Sequence, residues 1–236
     1  MSTLNVNTIT PNSGTTITIG GSGDTITVPS GTTLSAASGS TIDVTNATKT
    51  GFPQGGLRHI TTVTNTSDSS SIDIPGCFSS TYKNYRVVMN NVTPVTDSTS
   101  VYLNFGNSDL STIRDGYQWA LGMYPAGFTT NQPYSENVSS GSAGIKLTHN
   151  SSNNLLYGVN MVIDVFNPYS SSTYTAFSGH GQVFNNAGNW GNIYIFTGSV
   201  RVSPGTQDES LRITAASGNM DGNTLCSVSV YGYAES

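Results

Sequence analysis

Ser13-Gly14-Thr15-Thr16-Ile17-Thr18-Ile19, Ser22-Gly23-Asp24-Thr25-Ile26-Thr27-Val28, Ser30-Gly31-Thr32-Thr33-Leu34-Ser35-Ala36 and Ser38-Gly39-Ser40-Thr41-Ile42-Asp43-Val44 are four rows of one pattern. Each row is Ser-Gly, a polar residue, Thr, then aliphatic, polar, aliphatic; the rows start nine, eight and eight residues apart. Ser-Gly is a turn dipeptide whose glycine is free to take positive φ. The β-branched stretch after it alternates with period two, as a half-buried strand does. Every row is therefore a turn plus a very short strand with one aliphatic face. Isolated short strands do not repay the entropy of ordering them. The stripe Ile17, Ile19, Ile26, Val28, Leu34, Ala36, Ile42 and Val44 must be buried against something else. Three parallel copies of the chain meeting along one axis would bury it and pair every strand edge. The expectation is a homotrimeric β-repeat stalk over residues 1–50.

Working outward, Gly51, Pro53, Gly55 and Gly56 mark residues 51–56 as a Gly/Pro hinge. From Leu57 the texture changes, with aromatics appearing and apolar runs lengthening. Strands are predicted at His59–Asn65, Ser71–Ile74, Tyr85–Asn91, Ser100–Phe105, Tyr117–Met123 and Gly144–Thr148. Others follow at Leu155–Phe166, Tyr174–Phe184, Asn192–Val200, Ser210–Thr214 and Thr224–Tyr233. Alternation is clearest in Tyr85-Arg86-Val87-Val88-Met89 and Ser227-Val228-Ser229-Val230-Tyr231. No window carries a helical period, and the abundance of Ser, Thr, Gly and Asn disfavours helix. Many short strands separated by turn clusters predict an antiparallel β-sandwich, a jelly roll, over residues 57–236. Gly179-His180-Gly181, inside a strand-like run, reads as a bulge. Tyr124 to Ser142 is the longest unpatterned stretch and reads as a functional loop.

Composition narrows the function. Only 9% of the 236 residues are charged, and the formal net charge is -5. Eight Lys and Arg cannot build a phosphate-neutralising surface, so a nucleic-acid partner is not expected. No apolar run reaches the length of a membrane span, which argues against membrane insertion. Met1-Ser2-Thr3-Leu4-Asn5 lacks the basic region and apolar core of a signal peptide, so synthesis in the cytoplasm is expected. Cys77 and Cys226 are too few for a disulfide framework and read as buried free thiols.

No catalytic constellation emerges. His59, His149 and His180 stand alone, without metal-ligand spacing, and neither a nucleophile elbow nor a phosphate-binding loop occurs. Asp109, Asp115, Glu136, Asp164, Asp208, Glu209 and Asp221 are available to a carboxylate pair but read as turn and solubility residues. No enzyme activity, cofactor or metal is expected. Binding is the better reading, since sugars are held by aromatic faces with hydroxyl and amide hydrogen bonds. The candidate binding residues are Tyr124, Phe128 and Tyr134 in the long unpatterned stretch, with Trp119 and Trp190.

The opening Met1-Ser2-Thr3-Leu4-Asn5-Val6-Asn7-Thr8-Ile9-Thr10, followed by the Ser-Gly rows, resembles the N-termini of fibre-like virion proteins of marine tailed bacteriophages. Tyr82-Lys83-Asn84-Tyr85-Arg86-Val87-Val88 and Val228-Ser229-Val230-Tyr231-Gly232-Tyr233 are similar to the jelly-roll tips of phage tail-fibre proteins. The resemblance implies a homotrimer in the virion, an N-terminal segment attached to other virion proteins, and a head facing host surface glycan. Two alternatives remain: a capsid decoration or tail-scaffold protein that binds no receptor, and a glycan-degrading tailspike.

Overall fold

The structure, a computed structural model, describes residues 56–125, 134–141, 144–154, 157–184, 191–200, 206–223 and 225–234. The chain divides into two units at Phe52/Pro53, and all described residues belong to the second. The Ser-Gly rows and the expected axis residues Ile17, Ile19, Ile26, Val28, Leu34, Ile42 and Val44 lie outside the described residues.

The described residues form strands and no helix. In chain order the strands are β1 (Gly56–Thr64), β2 (Ile72–Ile74), β3 (Asn84–Val92), β4 (Val101–Gly106), β5 (Tyr117–Pro125) and β6 (Tyr134–Gly141). They continue as β7 (Ile145–Lys146), β8 (Val159–Phe166), β9 (Thr175–Phe184), β10 (Gly191–Val200), β11 (Ser210–Ala215) and β12 (Ser227–Ala234). An eight-stranded sheet runs β1-β12-β3-β8-β9-β10-β5-β6, and a four-stranded sheet runs β2-β11-β4-β7. Every strand pairing is antiparallel. The described residues form an all-β antiparallel sandwich.

Alternation builds it. In β3, Tyr85, Val87 and Met89 are buried while Arg86 and Val88 are half-buried on the other face; β8 repeats this with Met161, Ile163 and Val165. Successive strand residues point to opposite faces, so one phase of each strand supplies the core. Those residues share one core with Ile72, Ile74, Leu103, Phe105, Leu211 and Ile213 of the smaller sheet. Phe105 meets Phe177 across the sheets at 6.3 Å between ring centroids, and Phe78 meets Tyr85 edge-on at 4.7 Å. Each such buried side chain contributes about 1.5–3 kcal/mol.

Each strand expected from the sequence is present, although the one expected from Leu155 starts at Val159. Two expectations need correcting. Tyr124 to Ser142 is not one long loop: β5 runs to Pro125, and β6 returns from Tyr134 to pair with it, Met123 opposite Tyr134. Gly179-His180-Gly181 is not a bulge, because β9 keeps unbroken register with both β8 and β10. The glycines are there for close packing. A Cβ on Gly179 would lie 2.5 Å from the Phe196 ring and 2.8 Å from the Val162 carbonyl, and one on Gly181 would strike the Asn160 carbonyl and Met161. Cys77 and Cys226 are buried and unpaired, in line with the free-thiol reading. Burial pushes the Cys77 thiol up to about 12.

Candidate functional site

One end of the sandwich carries an open cleft of about 620 Å³. It is assembled from four segments far apart in sequence. Strand β1 brings Arg58, the β2–β3 connection brings Ser80, Thr81, Tyr82 and Lys83, the β8–β9 turn brings Asn167, Tyr169 and Ser170, and β12 ends there at Ala234. Antiparallel pairing explains the meeting. Arg58 lies opposite Gly232 on β12, and Asn84 lies opposite Phe166, so the start of β3 and the end of β8 reach the same place.

The walls are fixed by buried anchors. The Tyr85 ring is fully buried, and its hydroxyl donates to the Ser79 carbonyl at 2.7 Å while accepting from the Ser79 N–H at 2.8 Å. That pins the segment leading into Tyr82 and Lys83. Tyr82 in turn packs edge-on against Tyr85, 6.0 Å between centroids. Gly232 gives Tyr82 its place, because a Cβ there would overlap the Tyr82 ring.

The opposite wall is a turn. The Asn167 N–H donates to the Lys83 carbonyl at 3.1 Å, and the Ser170 N–H donates to the Asn167 carbonyl at 3.2 Å. Asn167 takes φ 52°, a left-handed value that asparagine tolerates better than most residues. The carbonyls of Pro168 and Tyr169 accept from the Asp208 N–H at 2.8 Å and the Gln207 side-chain amide at 3.1 Å.

Behind this turn lies a buried polar network. The Arg114 guanidinium donates to Asp208 Oδ1 at 2.9 Å and to the Gln207 carbonyl, and Thr175 Oγ1 donates to Asp208 Oδ2 at 2.5 Å. The Arg114 and Asp208 side chains are only 9% and 2% exposed. Burial pushes the Asp208 carboxyl above its usual range, with Thr175 and Arg114 opposing that rise.

The cleft offers two tyrosine rings, several hydroxyls, an amide and two cations, and no carboxylate among its described lining residues. Such a surface can offer ring contact and short-range hydrogen bonds to a polar ligand. It is not the site expected from the sequence. Trp119 is a core residue, 6% exposed, with its indole N–H donating to the Gly144 carbonyl at 3.2 Å. It shares the inward phase of β5 with Tyr117 and Leu121, which packs it into the core. Tyr124 is half exposed on the outer phase, opposite Ile193, whereas Tyr134 is opposite Met123. Phe128 and Trp190 lie outside the described residues.

The outer face of the larger sheet carries a second, smaller cleft of about 310 Å³ beside Val162, Asp164, His180 and Ile195. There Arg86 grips Asp164 with two hydrogen bonds of 2.8 and 2.9 Å, and the Tyr233 hydroxyl donates to the same carboxylate at 2.6 Å. The Arg86 guanidinium holds Asp164 below the usual carboxylate range. Burial, and then the neighbouring Asp164, push Tyr233 up to about 12. Of the other carboxylates singled out in the sequence, Asp109 closes a turn onto the Ser111 N–H at 3.0 Å, Glu209 caps the Ser108 N–H at 2.9 Å, and Glu136 pairs with Lys146 at 2.8 Å. Burial, with the charge of Asp68, raises Asp221.

Among the described residues, fold and site together define an antiparallel β-sandwich with a polar cleft at one end whose described lining includes no carboxylate. Comparisons of the chain with protein families, with curated proteins and with solved structures found no match.

Proposed function

We propose that the chain is a fibre or tail-associated structural protein of a phage virion, homotrimeric through its β-repeat stalk, with a jelly-roll head that binds host cell-surface glycan. The observation that carries the binding half of this reading is the cleft lined by Tyr82, Tyr169 and several hydroxyls. Single sites of this open kind are weak, and three heads on one stalk would multiply their effect through avidity. The four Ser-Gly rows support the trimer, and the resemblance of the chain's opening to phage fibre N-termini supports attachment to other virion proteins. In this reading the protein is not an enzyme.

Two experiments test it. The Ile26→Asp/Val28→Asp variant would place six charges along a trimer axis, where desolvation is costly. The parent should sediment as a trimer and the variant as a smaller species; identical sedimentation would remove the stalk. Purified protein should also compete with phage for adsorption, and the Tyr82→Ala/Tyr169→Ala variant should compete poorly.

A second reading, a decoration or scaffold protein packed on other virion subunits, is favoured by one observation. Tyr124, Ile193 and Ile195 are each 50–52% exposed and adjacent on the outer face of β5 and β10. Ile193→Asp/Ile195→Asp would then block incorporation into particles and leave glycan binding intact. The glycan-degrading alternative predicts release of reducing ends from host polysaccharide.

A further inference from the structure

The sequence holds eight Lys and Arg, and two of them, Lys49 and Arg201, lie outside the described residues, which leaves six. Four of those six are in carboxylate ion pairs of 2.6–2.9 Å: Arg86 with Asp164, Arg114 with Asp208, Lys146 with Glu136 and Arg212 with Asp73. The other two, Arg58 and Lys83, form no ion pair with a described residue, and both line the 620 Å³ cleft. In a chain of net charge -5, carboxylates outnumber cations, and leaving two cations unneutralised at one place runs against the general trend. Among the described lining residues there is no acidic group to offset them.

We propose that the cleft selects glycans carrying an anionic group, a uronate carboxylate or a sulfate ester, through Arg58 and Lys83. This rests on the glycan-binding reading above and adds the class of sugar. Arg58 supplies a planar fork matched to two oxygens of a carboxylate or sulfate, and Lys83 supplies a mobile point charge. The pyranose ring lies against Tyr82 or Tyr169, and its hydroxyls face Ser80, Thr81 and Ser170. Because the main chain around Lys83 is tied to Asn167 and that of Tyr169 to Gln207, the ligand need not order those walls. Both cationic side chains are solvent-exposed, so their attraction to the ligand is screened by salt.

The test is calorimetric titration of the full chain with three length-matched probes: an oligogalacturonate, a sulfated galactan oligosaccharide and neutral maltohexaose. At low salt at least one acidic probe should bind about tenfold more tightly than the neutral one, and 0.5 M NaCl should remove most of that advantage. Whichever acidic probe binds more tightly distinguishes carboxylate from sulfate. Arg58→Gln and Lys83→Gln should each cost the acidic probe about fivefold or more, while Lys83→Arg retains binding. Neither side chain is in the core, so the variants should melt with the parent. Equal binding of neutral and acidic probes at the cleft would overturn the anion selection and leave the glycan reading standing. Acidic binding that ignores both substitutions would also overturn it, since the anion would then sit elsewhere. If no probe binds, the selection falls and the glycan reading falls with it.

Discussion

The Arg114–Asp208–Thr175 network behind the cleft yields the sharpest quantitative expectation. Asp208→Ala removes one partner of an ion pair whose side chains are 9% and 2% exposed, and strands the Arg114 guanidinium in the interior. Breaking a buried pair from one side costs about 3–5 kcal/mol. For a domain of this size that lowers the melting temperature by roughly 6–20 °C. The raised Asp208 pKa carries a second implication: burial outweighs the help of Thr175 and Arg114, so the carboxylate does not recover its desolvation. Replacing the whole network with apolar side chains, as in Arg114→Met/Asp208→Leu/Thr175→Val, should therefore restore most of the stability, to within about 1 kcal/mol of the parent. Urea unfolding followed by tryptophan fluorescence, to which buried Trp119 contributes, at fixed protein concentration, measures both variants. A single variant that loses under about 1 kcal/mol, or a triple variant no better than the single, would refute the argument.

Three further expectations follow from particular contacts. Gly232→Ala would push the Tyr82 ring off β12, so it should weaken glycan binding at the cleft and destabilise the head by about 1–3 kcal/mol; titration and melting of the same sample read both. Asp164 has a depressed folded-state pKa, so the stability it contributes is present above its unfolded value near ~3.9 and is lost as pH falls through the folded one. Asp164→Asn should accordingly melt below the parent at pH 7, and the gap should close on acidification below about pH 4; a gap that persists there would count against the Arg86 grip. With Cys77 pushed up to about 12 and Cys226 raised by burial, neither thiol should react with a disulfide reagent at pH 8 in the native protein, and both should react after denaturation.

The sandwich was legible because its strands advertise their burial. Tyr85-Arg86-Val87-Val88-Met89 and Ser227-Val228-Ser229-Val230-Tyr231 alternate in sequence as they do in space. Strand β6 escaped notice for the converse reason. Ser135-Glu136-Asn137-Val138-Ser139-Ser140 has one aliphatic residue, and this edge strand is held by its ladder to β5 and by the Glu136–Lys146 pair. Both ties come from partners that the local sequence does not contain. The burial of Trp119 does have a signal in the sequence: Tyr117, Trp119 and Leu121 share a phase, and in β5 that phase is the buried one.

The cleft was hidden for a deeper reason. None of its residues carries a pattern of its own, and Arg58, Lys83 and Tyr169 converge only through the pairing of β1 with β12 and of β3 with β8. Two stretches at strand ends support it, Tyr82-Lys83-Asn84-Tyr85 and Tyr231-Gly232-Tyr233. In each, one residue serves the fold so that its neighbour can serve the site. The Tyr85 hydroxyl anchors the chain beside Lys83, and Gly232 leaves room for the Tyr82 ring. A positioned cation needs a rigid support more than it needs company in sequence, because the entropy of holding it is met by contacts made on folding. The useful signal is therefore a buried aromatic with a hydrogen-bonding tip beside an unpaired cation at the end of a strand, and Tyr85 with Lys83 is the place in this sequence where that combination heads an interior strand of the larger sheet.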